Sequence, residues 1–306
     1  MDLFYGRLKK LSGNVCSNEP MKKHTTFQVG GPADYFVTPQ DVSELAALVR
    51  LCREEGKPYF ILGNGSNLLV SDGGYRGVVL HVGKALGKIR VLDNRIYAGA
   101  GATLAQTAAK ACEAGLSGLA FASGIPGTIG GALVMNAGAY DGEMAQVVCG
   151  ARILTKDGEE KRLEASQLQM GYRKSCILPM EYIVTEVELL LEPGDKTEIR
   201  SRMEELAARR KQKQPLEYPS AGSTFKRPEG NFAGKLIMEA GLRGFSVGGA
   251  CVSEKHCGFV INKDGAKAAD ILKLCREIQR RVREKFGVFL ELEMRLLGEF
   301  EEGSGM

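Results

Sequence analysis

Between Asp41 and Gly56 apolar residues recur at helical spacing, with Leu45, Leu48, Val49 and Cys52 on one face. Asp41-Val42-Ser43-Glu44 offers a capping-box-like start and Gly56 a stop, so the pattern predicts a helix. A second helix is predicted over Thr103–Gly115, with Thr103 as cap and Leu104, Thr107, Ala108 and Ala111 inside. Short apolar or alternating runs predict strands at Tyr59–Leu62, Leu68–Val70, Val78–Val82, Lys88–Ala98 (turning near Asp93-Asn94) and Tyr182–Leu191. Asp157-Gly158 joins Ala151–Thr155 to Glu160–Leu163 as a hairpin. Glu192-Pro193-Gly194-Asp195 then breaks the chain. Beyond it the pattern predicts a basic helix over Thr197–Lys213, ended by Pro215 and Pro219, and a short helix over Phe232–Ala240. Strands near Gly249–Val252 and Gly258–Ile261 follow, then a long helix over Ala266–Phe286 stopped by Gly287, a final strand Val288–Leu297 and a frayed tail Glu299–Met306. The class is α+β rather than regular βαβ alternation. The expected division is 1–195, in two parts near 1–82 and 83–195, followed by 196–306.

Composition narrows the function. The chain has 306 residues, 44% hydrophobic and 25% charged, and no apolar run nears the roughly 18–20 residues of a membrane span. Its N-terminus carries no charged-then-apolar export signal, so a cytoplasmic protein is expected. Lys and Arg number 41 against 37 Asp and Glu, a net charge of +4, which is a weak basis for nucleic-acid binding. The basic runs Arg200–Lys213 and Arg276–Lys285 are interleaved with Glu198, Glu204, Glu205, Glu277 and Glu284, as on solvated amphipathic helices. The eight cysteines include no C-x-x-C and read as reduced thiols. Cys251, His256 and Cys257 form no metal set, since His256 and Cys257 would point to opposite faces of a strand and no fourth ligand lies nearby.

Thirty-nine glycines are the departure from ordinary composition, and they cluster in loops. Gly63-Asn64-Gly65-Ser66-Asn67 follows directly on a predicted strand, where backbone N–H groups can approach an anion. The loop is neither the dinucleotide fingerprint nor a P-loop: Leu68 stands where the third glycine would be, and no Gly-Lys-Ser/Thr follows. Ser123-Gly124-Ile125-Pro126-Gly127-Thr128-Ile129-Gly130-Gly131-Ala132 is a second such loop, and Met135-Asn136-Ala137-Gly138-Ala139-Tyr140 a third. Several glycine loops suit a long ligand with a pyrophosphate, but composition alone leaves structural turns equally open.

Together Thr25–Asp34, the Gly63–Leu69 loop and Ser123–Tyr140 resemble the UDP-N-acetylenolpyruvoylglucosamine reductase (UDP-N-acetylmuramate dehydrogenase) family. The resemblance extends through Gly171–Ser175, Pro219–Phe225, Ala233–Ile237 and Leu290–Arg295. It implies a vanillyl-alcohol-oxidase/PCMH-type FAD-binding fold over 1–195 and an α+β sugar-nucleotide substrate domain over 196–306, whose last strand, 288–297, returns toward the flavin. It implies FAD at Gly63, Asn64, Gly65, Ser66, Asn67, Ser123, Gly124, Ile125, Pro126, Gly127, Thr128, Gly130, Gly131, Asn136, Ala137 and Gly138. With His24, His81 and His256 outside these loops, the FAD is expected to be non-covalent.

The implied reaction is reduction of UDP-N-acetylglucosamine enolpyruvate to UDP-N-acetylmuramate, with NADPH as hydride donor. Arg173 matches the family's carboxylate-binding arginine, Ser223 its proton donor and Glu293 the glutamate that helps polarise the carboxylate; Tyr172 and Lys235 are further substrate candidates. Strand alternation alone cannot choose between Glu291 and Glu293, and the motif register selects Glu293. Leu292 and Met294 stand where proline and valine are common in the family. Only fifty residues separate Arg173 from Ser223, which implies the subclass without an extra tyrosine-bearing loop. A monomer without nucleic-acid, membrane or metal partners is expected. The competing readings are a flavin oxidase of the same fold acting on an alcohol or lactone, and a non-catalytic basic nucleotide-binding protein.

Overall fold

The computed structural model describes residues 2–300, and the chain divides into two units. Unit 1 takes the described residues up to Ser17, Tyr35–Asn64 and Gly77–Arg210; unit 2 takes Asn18–Asp34, Gly65–Arg76 and the described residues from Lys211 onward. The division therefore falls at Arg210 rather than near 195. The helix after the Pro193-Gly194 break buries Ile199 and Leu206 and lays Met203 against the unit 1 core. In unit 1 a single apolar cluster, from Phe4 and Leu8 through Leu80 and Leu104 to Leu191, runs across the expected boundary near residue 82. Segments 18–34 and 65–76 join unit 2 because Phe27, Val29 and Leu69 are buried in its core. From residue 301 on, the expected tail lies outside the described residues.

The helices are α1 Leu3–Leu11, α2 Val42–Glu54, α3 Leu104–Glu113, α4 Ile129–Met135, α5 Lys196–Lys213, α6 Ala233–Glu239 and α7 Ala268–Phe286. In α2 the predicted stripe Leu45, Leu48, Val49 and Cys52 is fully buried, and Asp41 caps the helix through Glu44 N. Burial pushes the Cys52 thiol up to about 12, as for an inert core thiol. In α3, Thr103 and Gln106 form a reciprocal capping box. All eight cysteines are free thiols.

An antiparallel sheet organises unit 1, in the order Glu160–Glu164, Val148–Leu154, Ile183–Leu190, Arg95–Gly99, Ile89–Leu92. Elsewhere in unit 1, Tyr59–Leu62 is paired in parallel, with Tyr59 opposite Val78. An ion pair reaches across the Val148–Leu154 strand: Arg162 Nε and Nη2 donate to the two carboxylate oxygens of buried Glu188, on the central strand, at 2.8 and 2.7 Å. Gly150 lies beneath the pair, where a Cβ would come within 3.1 Å of Arg162 Nη2 and 3.4 Å of Glu188 Oε2. The guanidinium holds the Glu188 carboxyl below the usual glutamate range, chiefly by hydrogen bonding.

In unit 2, α7 buries Ile271, Leu274, Cys275, Ile278 and Val282. Its core also takes in residues of the small sheet Ser246–Val247, Ala250–Val252, Val260–Asn262. Asp72 caps α7 from far away in sequence, accepting from Ala268 N and Ala269 N at 2.9 and 3.0 Å. The basic runs are laced by ion pairs, including Arg209 with Glu205 at 3.6 Å and Arg280 with Glu284 at 2.7 Å. Hydrogen bonds from Arg280 and Arg281 hold Glu277 at about 2.

Three predicted features differ. The final strand shrinks to Arg295–Leu297, parallel to Leu68–Val70, with Leu292 making a separate antiparallel bridge to Phe225; the alternating run serves two partners instead of one strand. His256 and Cys257 lie in a turn rather than a strand, where Gly258 N donates to His256 Nδ1 at 3.1 Å. The second glycine loop ends early, because α4 begins at Ile129. Its two glycines disfavour a helix, yet a Cβ on Gly130 would come 2.8 Å from the Ala100 Cβ, so close packing overrides propensity. Among the described residues, no helix is long and apolar enough to cross a membrane, and no cluster of three or more His, Cys, Asp or Glu could hold a metal ion.

The Arg162–Glu188 pair has a pH signature. A carboxyl whose pKa is depressed on folding contributes stability above its unfolded value, and that contribution is lost as pH falls through the folded value. Arg162→Met should cost about 1–3 kcal/mol at pH 7 by leaving a buried carboxylate without its donor. The deficit should shrink as pH drops below 4.5, the ordinary glutamate value. Urea melts of both proteins at pH 7 and at acid pH check this; a deficit independent of pH would place the loss elsewhere.

Candidate functional site

Within unit 1 the first two glycine loops touch. The Tyr59–Leu62 strand ends at Gly63, where a Cβ would fall 2.5 Å from Thr128 Oγ1, and Asn64 Nδ2 donates to the Pro126 carbonyl at 3.3 Å. Thr128 caps α4 by accepting from Gly131 N at 3.3 Å, so it joins a strand end to a helix start. The preceding segment is tightly bonded. Ser123 Oγ donates to Ala120 O at 2.8 Å, Ile125 N to Ala122 O at 3.1 Å, and Gly127 O accepts from Leu104 N at 2.9 Å. Among the described residues, the backbone N–H groups of Asn64, Gly124 and Thr128 have no protein acceptor.

Arg210, at the end of α5, is the functional candidate that sequence reasoning missed. A Cβ on Gly124 would meet its Cδ at 3.2 Å and its Nη1 at 3.7 Å. Burial lowers its pKa, and among the described residues its guanidinium makes no hydrogen bond or ion pair. Its neighbour Arg209 lies over the Tyr140 ring at 5.1 Å. In the sequence Arg210 is one basic residue in a charged helix, and nothing in the spacing separates it from solvated neighbours. The touching loops, backbone donors without acceptors and a half-buried guanidinium fit an anion such as a pyrophosphate.

Arg173 sits at the tip of a two-bonded turn in unit 1. Gly171 N donates to Lys174 O at 3.0 Å and Lys174 N to Gly171 O at 3.1 Å. Arg173 takes a left-handed φ of 55°, and its guanidinium lies 5.0 Å from the centre of the half-exposed Tyr172 ring. Asn136 is fully buried, with both ends of its side chain engaged by protein: Nδ2 donates to Gly171 O at 3.1 Å and Oδ1 accepts from Ala145 N at 2.8 Å. Ala137 N donates to Ala132 O at 2.8 Å, closing α4, and Gly138 enters a small hairpin with Gly142-Glu143.

Unit 2 gathers the other residues. Glu293 N donates to Thr224 O at 2.9 Å, Lys226 N to Glu291 O at 2.8 Å, and Phe225 bridges Leu292. Exposed Ser223, directly before Thr224, is thus held beside half-buried Glu293 despite their separation in sequence. Asn67, the last residue of the first glycine loop, joins them: its Nδ2 donates to Glu293 O at 3.1 Å and its carbonyl accepts from Arg295 N at 3.0 Å. Gly65, at a φ of 60°, approaches His24 O so closely that a Cβ would lie 2.0 Å away, and Ser66 follows it half-buried. His24 therefore adjoins the loop, with its ring bonded to Glu19 at 3.0 Å. Glu291 is exposed and paired with Lys226, a surface contact. Lys235, on α6, is exposed, with its ammonium 3.9 Å from Glu239.

This chain is similar to known proteins. A model described as FAD binding domain matches residues 33–164, and one described as UDP-N-acetylenolpyruvoylglucosamine reductase, C-terminal domain, matches residues 214–297. A UDP-N-acetylenolpyruvoylglucosamine reductase of Agathobacter rectalis is 55% identical over 94% of this chain and 95% of its own length. One from Clostridium botulinum is 53% identical over 94% of each. The crystal structure of UDP-N-acetylenolpyruvylglucosamine reductase from Thermus caldophilus superposes with a TM-score of 0.78 at 40% identity, covering 91% of this chain and 97% of that one. With an FAD-binding domain, a reductase-type C-terminal domain and relatives matched over nearly their whole length, this chain belongs to the UDP-N-acetylenolpyruvoylglucosamine reductase family.

Proposed function

We propose that this protein reduces the enolpyruvyl ether of UDP-N-acetylglucosamine to the lactyl ether of UDP-N-acetylmuramate, with FAD bound non-covalently and NADPH as hydride donor. The observation that carries the reading is the backbone pairing that holds Ser223 beside Glu293 in a chain of this family. FAD, when bound, supplies the hydride relay from NADPH to one alkene carbon. Its pyrophosphate is assigned to the touching loops at Gly63-Asn64 and Ser123–Thr128, with Arg210 as the counter-charge.

Hydride addition conjugate to a carboxylate drives charge onto the carboxylate oxygens. The planar fork of Arg173 suits that group, and a preorganised donor aimed there lowers the barrier by roughly 3–4 kcal/mol. Glu293 helps to polarise the same carboxylate. Ser223 donates its hydroxyl proton to the second alkene carbon. A serine is a weak acid, so this step demands a strongly basic carbon and a fixed short approach. The bonds that pin Thr224 to Glu293 supply the fixed backbone for it.

Two measurements test the assignment. Ser223→Ala should leave flavin reduction by NADPH nearly intact while slowing reoxidation by the enolpyruvyl substrate by about 10²–10⁴-fold. Ser223→Cys should recover part of that rate. Stopped-flow flavin absorbance separates the half-reactions, and equal slowing of both would remove Ser223 from the acid role. For the cofactor, Arg210→Met should weaken FAD binding by roughly 10–100-fold, the equivalent of one lost charge-assisted hydrogen bond. Flavin titration of the apoprotein reads this directly; an unchanged Kd would detach Arg210 from the pyrophosphate.

A further inference from the structure

The structure assigns Asn136 as a positioning residue for Arg173: through the Gly171 carbonyl it fixes the turn from which the guanidinium projects. This rests on reading Arg173 as the group that binds the substrate carboxylate.

The position selects asparagine in three ways. Asn136 ends α4 with a φ of 41° and a ψ of 57°, a left-handed conformation that asparagine tolerates better than most residues with a side chain. It is completely buried, so an unmatched amide would be costly. Its two amide atoms then need one acceptor and one donor. Nδ2 donates to Gly171 O at 3.1 Å and Oδ1 accepts from Ala145 N at 2.8 Å. An aspartate keeps the acceptor but turns an oxygen toward the Gly171 carbonyl, and a glutamine is one carbon too long for the same pair of bonds.

Gly171 O is already the acceptor for Lys174 N in the tight turn. Bonding it a second time from Asn136 locks the base of that turn to the end of α4. Ser175 Oγ repeats the tie on the far side, donating to Val134 O at 2.9 Å. Arg173 lies between these ties with a φ of 55°, a backbone conformation that arginine adopts only when its surroundings impose it. α4 is itself capped by Thr128 at the contact of the first two glycine loops. One short helix thus connects the proposed cofactor loops to the proposed carboxylate-binding arginine, and Asn136 is the link at its end.

The discriminating variant is Asn136→Asp, which preserves shape and tolerates the left-handed backbone. Flavin content and flavin reduction by NADPH should match the parent. Reoxidation by enolpyruvyl substrate should slow by about 10–100-fold, with a raised KM, because a small displacement of a binding group costs that much. Arg173→Lys is measured alongside, together with the double variant. Positioning predicts that Asn136→Asp adds little once Arg173→Lys is present, since nothing is left to aim. If Asn136→Asp does not fold, Ser175→Ala removes the other tie and should give the same selective loss in milder form. Loss of flavin from Asn136→Asp would return Asn136 to the cofactor site and overturn the inference. So would full activity of Asn136→Asp, or fully additive effects, beside an impaired Arg173→Lys. An unimpaired Arg173→Lys would instead overturn the reading of Arg173 itself, and the inference with it.

Discussion

The arrangement of unit 1 depends on one close approach, the backbone of Gly63 against the Thr128 side chain, where a single added carbon would sit 2.5 Å from Oγ1. Thr128 has three relations at once: it touches the first glycine loop, caps α4 and, through its neighbours Gly127 and Ile129, bonds to the entry of α3. Gly130, two residues on, continues the approach by packing on Ala100. Most of these glycines are therefore required by protein against protein. The proposed anion-binding role of the loops rests on the backbone N–H groups that this packing leaves without a protein acceptor among the described residues, rather than on empty space around the glycines.

Unit 2 reaches a similar end by different means. Its chemically interesting residues lie on irregular backbone, where sheet pairing is reduced to a bridge at Phe225 and Leu292 and a three-residue parallel strand. Such segments are held by bonds distant in sequence: Asn67 to Glu293, Thr26 Oγ1 to Ser220 O at 2.6 Å, and Asn262 Nδ2 to Phe27 O at 3.1 Å. Asp72 plays the corresponding part for α7, whose first N–H groups it satisfies. The excursions 18–34 and 65–76 thus bring partners that a continuous domain would have to find locally.

Charge is used in two ways. Arg162 and Glu188 are mutually satisfied and bury a carboxylate over Gly150, which specifies the sheet register at that point. Arg210 is half-buried, and its guanidinium has no protein acceptor among the described residues, which leaves it available to an anion. In unit 1 left-handed backbone recurs at Asn136, Tyr140, Asp141, Gln169, Arg173 and Glu181, and backbone strain of this kind persists only where surrounding bonds impose it.

By itself the sequence determined the amphipathic elements and the family. The buried stripe of α2, the capping box of α3, the Asp157-Gly158 hairpin and the long α7 are local, since periodicity and end residues alone specify them. The ordered motifs around Gly63, Ser123, Arg173, Ser223 and Glu293 identified the reductase family because several together are specific. Tertiary structure alone decided that α4 forms through two glycines, that the run to Leu297 divides between Phe225 and Leu68–Val70, and that α5 as far as Arg210 belongs to unit 1. It alone gave Asn136 a partner in Gly171 and left the Arg210 guanidinium without one among the described residues. These outcomes depend on atoms brought together from distant parts of the chain, and a hydrogen bond or a desolvated charge has no signature in the spacing of either partner.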